Sequence, residues 1–102
     1  MTWHLYRLLP HRPDFASTMT GEERTTMGEH VSYWRTHLET GRVLAFGPVA
    51  DPSRSWGFAI VEGEPDELAE LRAADPAVLA GIADADYVPL PGLITAERRD
   101  DD

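Results

Sequence analysis

Two runs of seven residues, Val43-Leu44-Ala45-Phe46-Gly47-Pro48-Val49 and Ser55-Trp56-Gly57-Phe58-Ala59-Ile60-Val61, flank Asp51-Pro52-Ser53-Arg54. Pro52 presets the turn dihedral and Asp51 can bond its own backbone, so the stretch reads as a β-hairpin. Successive strand side chains point to opposite faces, yet here both faces are apolar. Trp56, Phe58 and Ile60 alternate with Gly57, Ala59 and Val61, while Leu44 and Phe46 alternate with Val43 and Ala45. A sheet built on this hairpin therefore needs cover on both sides. Helices can supply one side, and a bare apolar face on the order of several hundred Å² is unusual for a monomer. The expectation is a homodimer with the open sheet faces packed together.

The remaining elements follow from local signals. Trp3-His4-Leu5-Tyr6-Arg7-Leu8-Leu9, closed by Pro10, predicts a first strand. His11-Arg12-Pro13-Asp14 is expected to be a loop, and the loop is long, running from residue 10 to 18. Thr20-Gly21-Glu22-Glu23 has the form of a capping box and starts a helix over about residues 21–40, ended by Gly41. Met27, Val31, Trp34 and Leu38 form its apolar stripe. Pro65 at a first helical position, followed by Asp66 and Glu67, predicts a second helix over about residues 65–74. Pro76 breaks it at Asp75, and residues 76–81 form a further short turn. Tyr87-Val88-Pro89-Leu90 reads as a last strand at a sheet edge. The order strand, helix, strand, strand, helix, strand fits an α+β, ferredoxin-like βαββαβ sandwich: one antiparallel four-stranded sheet with both helices on one face. Residues 1–92 make a single domain, and residues 93–102 a charged C-terminal tail expected to be flexible.

Composition narrows the function. A chain of 102 residues has room for one modest core. It contains no Cys, which excludes disulfides, thiolate metal sites and a thiol nucleophile. The formal net charge of −9, with acids spread along the chain, argues against nucleic acid or membrane as a partner. No apolar run approaches the ~18 residues of a membrane span, and no signal pattern opens the chain, so a cytoplasmic protein is expected. No Gly-rich phosphate loop follows a strand, and Ser32, Ser53 and Ser55 lack a nucleophile-elbow context.

Two polar residues stand out. His30 lies three residues past Met27 and four before Trp34, at the edge of the apolar stripe. It reads either as a core histidine satisfied by a carbonyl or as a general base or acid, a task that suits imidazole with its reference pKa of about 6.5. Asp75 falls where the second helix ends. There it serves as N-cap for the following turn or accepts the second N–H of a histidine, and its two oxygens allow both. His37 sits seven residues beyond His30, roughly 10 Å along the helix, too far for the two to share a metal ion. A site built from distant segments with His4 or His11 stays open, but the spacings favour none and no metal site is expected. Glu29 reads as a solvated helix residue, and Arg7 as half of an edge ion pair or as a carboxylate-binding group.

The ordered set His30, Gly41-Arg42-Val43-Leu44-Ala45-Phe46-Gly47-Pro48-Val49, Gly57-Phe58-Ala59-Ile60 and Ala74-Asp75-Pro76-Ala77-Val78-Leu79-Ala80-Gly81 resembles the YciI-like (YCII-related) family. The resemblance covers about residues 3–89. It implies a ferredoxin-like fold, dimerisation through the sheet and an active site built on a His–Asp pair, which by position is His30 and Asp75. A relative in that family is a dehydrochlorinase that eliminates HCl from a chlorinated hydroxyquinol. Such chemistry needs a base and an apolar pocket and no cofactor. Tyr6, Arg7, Trp34, Phe46, Gly47 and Pro48 are the expected pocket residues. The long loop after Pro10 and the polar Arg7 depart from the family pattern.

These observations support a cofactor-independent lyase or isomerase acting on a small aromatic or enolisable molecule by His–Asp acid/base chemistry. The alternative is a noncatalytic dimeric module that binds a small ligand or a partner, with His30 and Asp75 structural. A cofactor-free oxygenase shares the architecture and would differ by consuming oxygen.

Overall fold

The computed structural model describes residues 2–96. The elements run β1 (Trp3–Pro10), α1 (Phe15–Thr18), α2 (Gly21–Glu39), β2 (Val43–Val49), β3 (Trp56–Glu62), α3 (Pro65–Ala74), α4 (Pro76–Leu79) and β4 (Ala83–Pro89). The four strands form one sheet in the order β2-β3-β1-β4, and every pair is antiparallel. With α2 and α3 between the first and second and the third and fourth strands, this is the ferredoxin-like α+β sandwich.

Strict alternation on β1 sorts the two faces of the sheet. His4, Tyr6, Leu8 and Pro10 are buried, while Trp3, Leu5, Arg7 and Leu9 are only half-buried. Register carries the same division across the sheet. Tyr6 lies opposite Ala59 and Tyr87, and Leu8 opposite Gly57 and Ala85, all on the helix side. The core on that side joins Tyr6, Leu8, Val43, Ala59 and Val61 of the sheet to Trp34 of α2, Leu68 and Leu71 of α3, and Ala77 of α4. The other face carries Leu5, Arg7, Phe58 and Ile60, with no element of the described chain lying over it.

Several local expectations are met and three are corrected. The Thr20–Glu23 capping box forms in both directions, Glu23 N–H donating to Thr20 Oγ1 at 3.1 Å and Thr20 N–H to Glu23 Oε1 at 2.9 Å. Gly41 takes the left-handed conformation at φ 84° that stops α2. The apolar stripe of α2, however, coincides with its packing seam only at Met27 and Trp34. Val31 and Leu38 are each 38% exposed, and the buried side follows Met27, His30, Tyr33, Trp34 and His37. That seam keeps helical spacing but is built of aromatic and imidazole rings, so a reading weighted to aliphatic residues was turned about one position off it. The loop after Pro10 contains the one-turn helix α1, whose Phe15 is buried. The last strand begins at Ala83, four residues ahead of the expected start at Tyr87. In Ala83-Asp84-Ala85-Asp86 the alanines are buried and the acids turn outward, a period-two pattern written in residues of low strand propensity. Of the expected tail, residues 97–102 lie outside the described residues.

Candidate functional site

Asp75 is placed by the chain break that the sequence announces. It closes α3 and, with φ −64° and ψ 123°, opens α4, whose second residue Ala77 donates its N–H to Asp75 Oδ1 at 3.0 Å. Capping alone would leave most of the carboxylate unsatisfied, and the side chain is completely buried. Three side chains complete it: His30 Nδ1 lies 2.8 Å from Oδ1, Trp34 Nε1–H donates to Oδ2 at 2.8 Å, and Tyr6 O–H donates to Oδ2 at 2.9 Å. One carboxylate thus joins β1, α2 and α4 through four hydrogen bonds.

The electrostatics fix the protons. Burial pushes the Asp75 carboxyl up, but the hydrogen bond and charge of His30, together with the Trp34 and Ala77 donors, outweigh it and hold the group below its ordinary value. Burial, and then the negative charge of Asp75, push the Tyr6 phenol far above its usual range, so Tyr6 keeps its proton and donates it. Tyr33, whose hydroxyl donates to the Leu71 carbonyl at 2.8 Å, is pushed up to about 12 by burial and by Asp75. An ionised carboxylate only accepts, so Nδ1 of His30 carries the hydrogen in their contact. In neutral His30 the lone pair then resides on Nε2, which makes no hydrogen bond among the described residues.

The His30 ring stands at the edge of a cavity of about 250 Å³ between α2, the sheet and the 11–19 segment. The space lies where β3 presents the small residues Gly57 and Ala59 to the helix side, opposite Leu8 and Tyr6. Gly57 approaches β2 closely, and a Cβ there would lie 3.4 Å from the Gly47 carbonyl oxygen. Among the described residues, no acidic residue or Arg lines the cavity. Its other polar groups are engaged: Tyr6 and Trp34 with Asp75, Trp56 Nε1–H with Asp51 at 3.0 Å, and Ser55 Oγ accepting from Ala16 N–H at 3.1 Å. A histidine that lines an uncharged apolar space, with one ring nitrogen already bonded to a carboxylate, can move a proton to or from a small molecule held there.

The family model for the YCII-related domain matches residues 5–90. The chain belongs to the YCII-related family. No curated protein matches it.

In this YCII-related domain the structure brings together His30, Asp75, Tyr6 and Trp34 by hydrogen bonds, and sets Phe46, Gly47 and Pro48 on the cavity wall. Arg7 is not among them. It points to the opposite face of the sheet and there makes a bidentate ion pair with Asp86 of β4, at 2.9 and 2.6 Å. His37 packs edge-on against Tyr33 and at a tilt against Trp34, with ring centroids 5.0 and 5.9 Å away. Burial, then the nearby Arg42 charge, lower its pKa, in keeping with a packing role. No cluster of His, Asp or Glu suited to a metal ion exists among the described residues, and none of their helices is long and apolar enough to cross a membrane.

Sequence reasoning did not find Phe15, Met19 and Met27 as cavity residues. For Phe15 a signal existed, because a large aromatic residue inside an otherwise polar loop has to find apolar cover. It also placed Tyr6 and Trp34 on the pocket wall without their second task. Their polar ends meet Asp75 from 69 and 41 residues away in sequence, a contact that no local pattern encodes.

Proposed function

We propose that this YCII-related domain is an acid/base enzyme of lyase or isomerase type. It acts on a small apolar molecule and needs no cofactor for the proton transfer. His30 Nε2 takes or returns the proton, and Asp75 holds the ring in the Nδ1–H tautomer and stabilises the imidazolium when it forms. The observation that supports this most is the combination at His30: Nδ1 bonded to a buried carboxylate at 2.8 Å, with the ring at the edge of an uncharged cavity. An aromatic or enolisable substrate suits the site, because its acidic hydrogen can be presented to Nε2 while the rest of it meets apolar walls.

A panel of small ketones and single-ring hydroxy compounds, followed for deuterium uptake at carbon from D2O above the enzyme-free rate, tests the reading. Uptake by one class that is lost in His30→Gln at unchanged melting temperature is the expected result. Uptake that survives in His30→Gln would overturn it.

The noncatalytic alternative draws support from the same carboxylate, since Asp75 caps α4 and binds Tyr6 and Trp34 whether or not a reaction occurs. In that reading the cavity binds a small ligand that leaves unchanged.

The open sheet face, with Leu5, Phe58 and Ile60, supports assembly as a homodimer through the sheet. Solution scattering is expected to give twice the chain mass of 11.4 kDa, and a monomer mass at micromolar concentration would exclude this arrangement.

A further inference from the structure

The cavity has three sides, and two of them are the common property of the sheet and α2. The third is built by residues 11–19, the segment that the sequence leaves as a long loop. Phe15 and Met19 of this strap line the cavity across from the sheet. Phe15 is 3% exposed although its neighbours on both sides are open to solvent.

The strap is fastened at two points. The Arg12 guanidinium donates to both oxygens of Glu23, at 2.9 and 2.7 Å, and to Thr18 Oγ1 and the Thr18 carbonyl, each at 2.9 Å. It also lies 5.1 Å from the centre of the Phe15 ring. At the other point, Ser55 N–H donates to the Pro13 carbonyl at 2.7 Å, and Ala16 N–H donates to Ser55 Oγ at 3.1 Å. Glu23 is also the residue that closes the capping box of α2, so Arg12 ties the strap to the first turn of the helix that carries His30. A bidentate guanidinium–carboxylate pair fixes orientation as well as distance. Phe15 and Met19 are therefore held at a set separation from the His30 ring.

We infer that this strap is the specificity-determining wall of the site: Phe15 and Met19 set the size of the neutral apolar molecule that reaches His30, and Arg12 is the positioning residue that holds them there. The inference rests on the proposed reading of the cavity as the ligand site. The occupant's class follows from the lining, which offers no charge to bind a carboxylate or phosphate and leaves the His30 imidazole to meet one polar group. Its size follows from the volume. An apolar cavity of about 150 Å³ already holds benzene, so about 250 Å³ suits a single substituted ring and becomes restrictive for a fused pair.

The test compares two uncharged probes, phenol and 2-naphthol, by NMR titration of the methionine methyl and His30 ring signals. Wild type, Met19→Trp and Arg12→Gln are titrated, with thermal melts as the control for folding. Met19 is only half-buried, which makes its replacement compatible with the fold. Phenol is expected to shift the His30 and Met27 signals of wild type. The 2-naphthol-to-phenol affinity ratio is expected to fall at least about fivefold in Met19→Trp and to rise at least about threefold in Arg12→Gln, since a fivefold change is about 1 kcal/mol, the order of one methylene in a pocket. A merely structural Arg12 would weaken both probes together and leave the ratio alone. Ratios within twofold of wild type in both folded variants would overturn the inference while leaving His30 chemistry untouched. Deuterium uptake that survives in His30→Gln, with the ratios moving as expected, would instead overturn the catalytic reading and keep the strap. If neither probe bound wild type at millimolar concentration, both would fall.

Discussion

Each face of the sheet carries an aspartate that accepts short hydrogen bonds from a cationic or potentially cationic partner, and the two differ in nearly everything else. On the helix side Asp75 is wholly buried and bonded to His30, Trp34, Tyr6 and Ala77. On the open side Asp86 meets Arg7 in a bidentate pair whose side chains remain 44% and 40% exposed. Distances alone rank the Arg7–Asp86 pair as the stronger, at 2.6 Å against 2.8 Å for His30–Asp75. Burial reverses the ranking. Water screens the exposed pair and can replace either partner, whereas nothing replaces a donor lost from Asp75.

The largest effect is expected from Asp75→Ala. It leaves the Tyr6 hydroxyl, the Trp34 indole N–H and the Ala77 N–H without their acceptor, and should destabilise the fold by about 3–5 kcal/mol in urea unfolding. A loss below about 1 kcal/mol would mean the site is no more than a surface pair. Tyr6→Phe removes one donor to a charged acceptor and keeps the ring packed on Trp34, at 4.7 Å between centroids, so a loss of about 1.5–3 kcal/mol is expected.

Acid sharpens the contrast. Because the folded protein holds the Asp75 carboxyl below its ordinary value, its contribution is present above the unfolded pKa of about 3.9 and is lost as pH falls through the folded value. Asp86, lowered by the hydrogen bond of Arg7, acts in the same direction. Stability measured from pH 5 down to pH 2 should therefore fall less steeply in Asp75→Asn than in wild type, and an identical slope would remove Asp75 from the account. The smallest effect belongs to Arg7→Leu, which is expected to change stability by no more than about 1 kcal/mol and to leave ligand binding in the cavity unaltered.

The same comparison explains what could be read from the chain. The capping box at Thr20 and Glu23, the stop at Gly41 and the break at Pro76 are local devices, and local devices are visible in sequence. The awkward placement of Asp75 at a helix end marked it, and the edge position of His30 on an apolar stripe marked that residue. What could not be read was the convergence of Tyr6 and Trp34 on the same carboxylate, because it depends on strand order and on the pitch of α2 over the sheet. The start of β4 was missed for a different reason: alanine and aspartate alternate there with strand period but without strand propensity. Arg7 cannot share the pocket with Tyr6, because neighbouring strand residues face opposite sides of the sheet, and it meets the ion-pair reading instead, with Asp86.

The most direct test of the central claim is the ¹⁵N NMR signature of the His30 ring near neutral pH, in wild type and in Asp75→Asn. A protonated Nδ1 and an unprotonated Nε2 in the neutral ring of wild type, with that tautomer preference weakened in the variant, is the expected result. A proton on Nε2, or a ring that does not sense the change at Asp75, would contradict the dyad and with it the role proposed for His30.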